Sequence, residues 1–175
     1  MQQPIAGIIG YGILARAIVE VDMQQGWLAL HDPAKYRDGG IEWSGLVIEL
    51  NHPVVDGVFE GQRGMLRLDT GDGNGHVVFH PHAVQRHGLL NGRETREQEI
   101  GGVGGRLAVR EGTLKWIEFI GQRYEDRDAI FVTDRNAPAY MNPYIDGTVG
   151  GGLLQGFRLL LDYPRERVAI LRGCC

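Results

Sequence analysis

Hydrophobic and polar residues alternate along much of the middle of the chain, which is the pattern of strands with one buried face. Gly, Asp or Pro residues bound each alternating stretch. The clearest stretches are residues 45–50, 64–69, 76–80, 114–120 and 129–133. Helical patterns are few and short, and they cover residues 81–88 and the segments after Gly12 and Gly152. The pattern predicts an all-β fold with short helices.

The glycine-rich stretch GIIGYGILARAI near the start of the chain has two interpretations. Gly10, Gly12 and Ala15 fit the G-x-G-x-x-A turn of a dinucleotide-binding fold, and Asp32 follows at about the distance of a ribose-binding acid. This interpretation would make the protein an NAD-dependent oxidoreductase. However, such a fold alternates strands with helices of about 10 to 15 residues, and the middle of the chain has no pattern for them.

An internal repeat argues against the dinucleotide interpretation. Residues 7–30 align without gaps with residues 147–170, and both copies contain a strand, a glycine turn, a short helix, a strand ending in Asp and another strand. The identical pairs are Gly7 and Gly147, Gly10 and Gly150, Gly12 and Gly152, Leu14 and Leu154, Asp22 and Asp162, and Ala29 and Ala169. Neither copy is followed by the alternating strands and helices of a dinucleotide site. Gly10 is better explained by the packing of a strand.

Composition narrows the class of protein. The chain has 175 residues, of which 43% are hydrophobic, so it can bury a substantial core. The formal net charge is -4 and the arginines are dispersed, so we expect no nucleic-acid partner. No apolar run reaches the roughly 20 residues of a membrane-spanning helix, so we expect no membrane partner. Nothing in the sequence indicates a localisation, and Cys174 and Cys175 are adjacent at the C-terminus without partners at metal-ligand spacing.

Two motifs within the chain resemble a known family. Asp69-Thr70-Gly71 ends an alternating strand, and Thr148-Val149-Gly150 forms an apolar strand that ends in glycine. Together they resemble one lobe of an aspartic protease of the pepsin and retropepsin type, and more closely the bacterial two-lobed aspartyl proteases. Asp72 stands where Ala or Ser is common, and an acidic residue there resembles the bacterial branch.

The resemblance implies a particular path for the glycine-ending strand. In that family the Asp-Thr-Gly turn forms a wide loop, and the apolar strand passes through it. The resemblance therefore implies that Val149 and Gly150 thread through the loop of their own lobe. Ile9 and Gly10 would be the same threading strand of another lobe.

The resemblance also implies a division of the chain. Residues 46–172 would form a complete second lobe, and residues 1–36 would be the C-terminal part of a first lobe. Residues 37–45 would be a linker, and residues 173–175 a tail. We expect the missing part of the first lobe, with a second Asp-Thr-Gly or Asp-Ser-Gly, upstream of Met1, or else a second copy of the chain in its place.

The activity implied by the resemblance is hydrolysis of peptide bonds by an aspartic endopeptidase without a cofactor or metal. Asp69 would be one of two catalytic aspartates, which share one proton and activate water. Thr70 would hydrogen-bond across the pseudo-dyad, and Gly71 would permit the close turn. The partners would be a peptide or protein substrate and the missing N-terminal lobe or second copy. The alternative is a catalytically incomplete module for dimerisation or peptide binding.

Two other features have ordinary explanations. His76, His80, His82 and His87 lie close together, but no thiolate accompanies them, so we expect surface or loop histidines instead of a metal site. The glycine-rich residues 99–121 lack the Lys-Ser or Lys-Thr of a phosphate-binding loop. They predict either a mobile hairpin over the cleft or an ordinary glycine-rich turn.

Overall fold

The structure is a computed structural model, and it describes residues 9–72, 77–102, 105–155 and 157–172. The strands in these ranges are β1 (Ile18–Asp22), β2 (Trp27–His31), β3 (Ser44–Gly45), β4 (Val47–Glu49), β5 (His52–Phe59), β6 (Gln62–Asp69), β7 (Val77–Phe79), β8 (Thr95–Gly102), β9 (Gly105–Phe119), β10 (Gln122–Phe131), β11 (Gly147–Gly150), β12 (Phe157–Asp162) and β13 (Arg167–Arg172). The helices are α1 (Tyr11–Leu14), α2 (Pro81–Arg86), α3 (Gly151–Leu154) and the 3-10 turns Pro138–Tyr140 and Tyr163–Arg165. The predicted class, all-β with short helices, is confirmed. None of the helices in the described ranges is long and apolar enough to cross a membrane.

The chain divides into two compact units. The terminal unit consists of Met1–Leu46 and Gly156–Cys175, and the central unit consists of Val47–Gln155. The central unit starts at Val47, one residue after the predicted start of the complete lobe. By contrast, β12 and β13, which the predicted lobe also included, group with β1 and β2 because β1 and β12 share a ladder of backbone hydrogen bonds. That pairing joins segments far apart in the chain, and the alternation pattern does not indicate it.

The central unit is built on one eight-stranded sheet, in the order β4-β5-β6-β11-β7-β10-β9-β8. Because β5 also pairs with β9, the strands from β5 to β9 in this order form a closed ring. The pair β6–β11 and the pair β7–β10 are parallel, and the other pairs are antiparallel. Phe59, Phe79 and Phe131 are fully buried. The ring centroids of Phe59 and Phe79 lie 4.8 Å apart, and those of Phe79 and Phe131 lie 5.6 Å apart. Their aromatic contacts stabilise the core of this unit.

Tight hairpin turns connect several strands of the central unit. The turns are Leu50-Asn51 between β4 and β5, Glu60-Gly61 between β5 and β6, and Ile120-Gly121 between β9 and β10. Both residues of each turn have a positive φ, with values from 48° to 85°. These are the angles of a type I′ turn, whose twist matches the twist of the flanking strands. Glycine fills the second position in two of the turns, whereas the first turn has no glycine.

The sequence repeat is also a structural repeat. The shift that sets Gly10 on Gly150 also sets α1 on α3, β1 on β12 and β2 on β13. Gly10 precedes α1 with φ −86° and ψ 170°, and Gly150 precedes α3 with φ −78° and ψ 163°. After the four-residue α1, the chain enters the antiparallel hairpin β1–β2. Residues 9–31 therefore do not form the parallel strand-helix-strand unit of a dinucleotide-binding fold.

Within the terminal unit, a local two-fold axis relates the hairpin β1–β2 of the first repeat copy to the hairpin β12–β13 of the second. The sheet of this unit has the order β2-β1-β12-β13-β3, with β1 and β12 at the centre. In the antiparallel pair β1–β12, Glu20 lies opposite Leu160, which is its own equivalent in the repeat. Away from that pair the register stays symmetric, since Ile18 lies opposite Asp162, the equivalent of Asp22. The axis therefore passes between Glu20 and Leu160.

The symmetry of the terminal unit ends at the edges of its sheet. β3 pairs with the first two residues of β13, Arg167 and Val168. Their repeat equivalents are Trp27 and Leu28 on β2, which is an edge strand among the described residues. Trp27 is 39% exposed and Leu28 is 52% exposed. An apolar edge strand of this kind is a template for pairing with another strand.

Candidate functional site

Asp69 is the last residue of β6, and the loop that follows the strand starts at its side chain. The Gly71 backbone N–H donates to Asp69 Oδ1 at 3.0 Å, and the Asp72 N–H donates to the Asp69 carbonyl oxygen at 3.2 Å. The Asp72 carbonyl oxygen accepts a hydrogen bond from the Gly151 N–H at 2.9 Å, which ties the loop to the start of α3. Asp69 itself is exposed. The loop therefore orients one carboxylate oxygen and leaves the side chain open to a ligand.

The predicted threading strand of this lobe lies directly beside the Asp69 loop. β11 runs between β6 and β7, parallel to the first and antiparallel to the second. Gly150 lies opposite Asp69, and Val149 lies opposite Leu68. Val149 is fully buried between the neighbouring strands. The fold thus brings together Asp69, Val149 and Gly150, which are separated by much of the central unit in sequence.

The other predicted site residues do not gather at this point. Ile9 is 60% exposed, Gly10 precedes α1, and neither belongs to a strand. Thr70 is exposed, and the partner expected for its hydroxyl belongs to a second lobe, so its role stays a prediction. A Cβ added at Gly71 would lie 3.4 Å from Asp69 Oδ1, which is an ordinary contact. Steric crowding therefore does not require glycine at position 71.

Arg67, two residues before Asp69 on β6, belongs to a polar network. Its Nε and Nη2 atoms donate to Thr148 Oγ1 at 3.2 and 3.0 Å, and Nη2 also donates to the Ala139 carbonyl oxygen at 3.3 Å. His80 Nε2 lies 3.0 Å from the same Thr148 hydroxyl. Because Thr148 is only 3% exposed, the guanidinium is anchored by a buried group.

His80 and Tyr140 both stay uncharged near neutral pH. Burial lowers the pKa of the His80 imidazole to about 3. The Tyr140 ring packs against it edge-on, with centroids 5.1 Å apart. The pKa of Tyr140 is raised chiefly by burial, and also by the negative charges of Asp72 and Asp69. Tyr140 therefore stays a protonated phenol, and the negative charges of Asp69 and Asp72 act on it.

A cleft of about 570 Å³ opens in the central unit beside Arg67. Its walls are the β4–β5 turn, the first part of β5 and the segment 138–145. Most of these side chains are apolar, and several face solvent, with Leu50 and Tyr144 each 74% exposed and Met141 60% exposed. Exposed apolar groups around a concave surface are typical of a ligand site.

Of the histidines expected at the surface or in loops, His80 and His87 occupy the loop positions that flank α2, but their side chains are buried. His80 is fully buried, and the His87 side chain is 7% exposed. His87 Nε2 lies 3.3 Å and His82 Nε2 lies 3.6 Å from Oδ1 of the buried Asp146. His76 lies outside the described residues, and within those residues no group of His, Cys, Asp and Glu could hold a metal ion. The imidazoles of His82 and His87 therefore lie beside the buried Asp146 carboxylate. The spacing of the histidines in the sequence does not indicate this arrangement.

Several residues of this site were not among the predicted ones. A signal for Arg67 exists in the sequence, because the period of two along a strand places it on the same face of β6 as Asp69. Thr148 fits the pattern of an apolar strand, and its hydroxyl finds partners that are distant in the chain. Tyr140 and Asp146 lie in a stretch with no periodic pattern. Only the fold shows that these groups meet.

The glycine-rich residues 99–121 do form part of a long hairpin. β8 and β9 pair in antiparallel register from Thr95 opposite Gly112 to Gly102 opposite Gly105. Residues 103 and 104, at the tip, lie outside the described residues. The role of this hairpin over a catalytic cleft stays a prediction.

Comparisons with protein-family models and with curated proteins return no match for this chain. The family resemblance therefore rests on the Asp69 and Gly150 motifs alone. The geometry of these two motifs and the repeat are the features of the molecule that bear on its function.

Proposed function

We propose that this chain belongs to an aspartic endopeptidase of the pepsin and retropepsin type. In this proposal the chain supplies one lobe, which contains Asp69, and part of a second lobe. The main support is the pairing of Gly150 with Asp69 across β11 and β6. An exposed carboxylate ends one strand, a glycine-ending strand lies beside it, and the loop between Asp69 and Asp72 is bonded to the residue after that glycine. This is the arrangement that the family requires of one lobe.

The reaction needs a second carboxylate close to Asp69. In a pair of neighbouring carboxyl groups, like-charge repulsion separates the two titrations, so one group is ionised and the other neutral at intermediate pH. The ionised group removes a proton from water, and the neutral group donates a proton to the carbonyl oxygen of the peptide. The chain contains a single Asp-Thr-Gly, so another lobe must supply the second carboxylate.

The terminal unit supports the presence of a partner lobe. The sequence repeat matches Gly10 to Gly150, so Ile9 and Gly10 would lie beside a partner loop as Val149 and Gly150 lie beside the Asp69 loop. Trp27 and Leu28 at the edge of β2 would pair with the equivalent of β3. The partner lobe belongs either to a longer form of this chain or to a second copy.

A second candidate function is a peptide-binding module without catalysis. The cleft beside Arg67 favours it, because exposed apolar walls can hold a peptide whether or not a dyad is complete. The two candidates differ in one observable, which is hydrolysis that depends on Asp69.

Replacement of Asp69 by Asn tests the proposal. Asn keeps the shape of the side chain and can still accept the Gly71 hydrogen bond, but it lacks the charge that activates water. We expect the rate of cleavage of a mixed peptide library to fall by at least about a thousandfold. The free energy of unfolding should stay unchanged. The assay uses the 175-residue chain at high concentration and, where a longer reading frame exists, its full product. Asp56→Asn, at an exposed position on β5, is the matched control and should cleave like the wild type.

The pH profile adds a second test. Wild-type cleavage should be greatest on the acidic side of neutrality and bell-shaped, because only the singly protonated pair is active. Asp72→Asn should displace this profile without abolishing turnover, since a nearby charge tunes the dyad from outside. Full activity in a folded Asp69→Asn protein, or no cleavage under any of these conditions, would contradict the peptidase proposal.

A further inference from the structure

Unlike several other arginines of the central unit, Arg67 has no ionic partner among the described residues. Arg93 pairs with Glu60 at 2.5 Å, and Arg96 pairs with Glu111 at 2.7 Å. In the described part of the chain, no carboxylate oxygen lies within 4.0 Å of a nitrogen of Arg67. A half-buried guanidinium at the wall of a cleft, with no counter-charge, is a site of charge complementarity for an anionic ligand.

The guanidinium is also held in place before a ligand arrives. Its Nε and Nη2 atoms are engaged by Thr148 Oγ1 and by the Ala139 carbonyl oxygen. Among the described residues Nη1 has no such bond, so its N–H groups are free to donate to a ligand. A fixed guanidinium loses little conformational entropy on binding, and its planar fork matches the geometry of a carboxylate.

The position of Arg67 relates the cleft to Asp69. The two side chains project from the same face of β6, because they are two residues apart in the strand. Two residues of a strand span about 7 Å, and an extended peptide covers the same length with two residues. A side chain held by Arg67 would therefore belong to a residue within about two positions of a bond presented to Asp69.

We propose that this cleft binds a peptide segment in an extended conformation and selects a Glu or Asp side chain through Arg67. The exposed apolar walls formed by Leu50, Met141 and Tyr144 accept the neighbouring apolar side chains of the peptide. Glu49, which also lines the cleft, accepts a hydrogen bond from Asn142 Nδ2 at 3.1 Å and forms no ion pair with Arg67 in the described structure. The inference rests on the proposed function, since it assigns to that site a class of substrate.

The test compares three libraries of blocked decapeptides. The libraries contain the same mixture of Val, Leu and Phe at every position except one central position, which is Glu, Gln or Lys. Fluorescence anisotropy measures their binding to the 175-residue chain at low ionic strength. We expect the Glu peptides to bind at least about tenfold more tightly than the Gln peptides, and the Lys peptides to bind most weakly. The preference should shrink at high salt, because the charges are screened.

Variants assign the preference to Arg67. Arg67→Met should remove the difference between Glu and Gln peptides, and Arg67→Lys should keep part of it because the charge remains. Arg63→Met is the matched control, since Arg63 is exposed on the same strand and does not line the cleft. Thermal unfolding verifies that each variant is folded, and the wild-type comparison of Glu with Gln stands even if Arg67→Met does not fold.

Several outcomes would overturn the inference. Equal binding of Glu and Gln peptides, no saturable binding of any peptide, or a Glu preference that survives in folded Arg67→Met would each contradict it. A dimer that dissociates in Arg67→Glu, without peptide binding, would assign the cleft to a second copy of the chain. Glu-selective binding by an Asp69→Asn chain without cleavage by the wild type would leave the cleft assignment intact and refute the peptidase. Cleavage without a Glu preference would do the reverse.

Discussion

The hydroxyl of Thr148 selects the tautomer of the neutral His80 imidazole. Its oxygen has two lone pairs, and both are engaged by the Nε and Nη2 donors of Arg67. The hydroxyl hydrogen must therefore point to His80 Nε2, which accepts it at 3.0 Å. The imidazole proton then lies on Nδ1, a buried atom without a hydrogen-bond partner in the described structure. Protonation of Nε2 would place a second donor against an oxygen with no free lone pair.

This arrangement predicts a stability loss in acid. The folded pKa of His80 is about 3, below the ordinary value of 6.5, so the unfolded chain binds the proton more readily. The contribution to stability is complete above pH 6.5 and is lost as the pH falls toward 3. At pH 5 we expect a loss of about 2 kcal/mol from this group. His80→Gln keeps a polar atom near Thr148 without titrating, so its free energy of unfolding should change less between pH 7 and pH 5.

Urea unfolding at both pH values measures the effect. His52→Gln is the control, because His52 is exposed on β5 and its replacement should leave the pH dependence intact. If His80→Gln and the wild type lose the same free energy between the two pH values, the buried neutral imidazole is not the cause.

At the residue scale, the sequence predicts which residues end a strand better than it predicts which side chains contact one another. Asp69 and Gly150 stand out because each ends an alternating or apolar strand, and a strand end is a local feature. Arg67 could have been inferred from its spacing to Asp69. The burial of His80 could not, because it depends on Thr148 and Tyr140, which approach only through the pairing of β11 with β6 and β7.

At the element scale, alternation predicts strands and local turn residues predict their ends. The stretch 64–69 lies within β6, and the stretch 114–120 covers the end of β9 and the first residue of its turn. The stretch 45–50 is divided, since Leu46 separates β3 from β4. The order of strands in the sheet could not be predicted, because parallel neighbours such as β6 and β11 are joined by a long segment of chain.

The β4–β5 turn contains strain that a substitution can relieve. Leu50 has φ 48° and is 74% exposed, so it occupies the left-handed region without compensating burial. Asn tolerates this region better than Leu, and it is favoured at this position of a type I′ turn. We expect Leu50→Asn to raise the free energy of unfolding by about 1 kcal/mol in chemical denaturation.

Leu50→Ala separates backbone strain from side-chain exposure. Alanine removes the exposed apolar group but keeps the penalty for a positive φ, so its stability should stay close to that of the wild type. An equal gain in the Ala and Asn variants would mean that the turn conformation is not the source of the stabilisation.

At the scale of the whole molecule, the repeat is the feature that the sequence predicts best. Identity at Gly10 and Gly150 anticipated matching helices, hairpins and backbone angles. The local two-fold axis was not predicted, because it arises from the register of β1 on β12, with Glu20 opposite Leu160. The axis relates the hairpin β1–β2 to the hairpin β12–β13 within the terminal unit.

The partner lobe that the proposed function requires predicts how activity depends on concentration. A single chain contributes one Asp69 carboxylate, and one carboxylate cannot be both the base and the acid of the reaction. Any peptidase activity of the isolated 175-residue chain should therefore come from dimers, and its rate should rise with about the square of chain concentration where monomers predominate. At concentrations where dimers predominate, addition of inactive Asp69→Asn chains at a fixed amount of wild type should lower the rate, because wild-type chains then enter mixed dimers that lack one of the two aspartates. Serial dilution with light scattering at each concentration measures both effects. A rate proportional to concentration in a range where scattering shows monomers would mean that one lobe suffices, and the dyad mechanism would then be wrong for this chain.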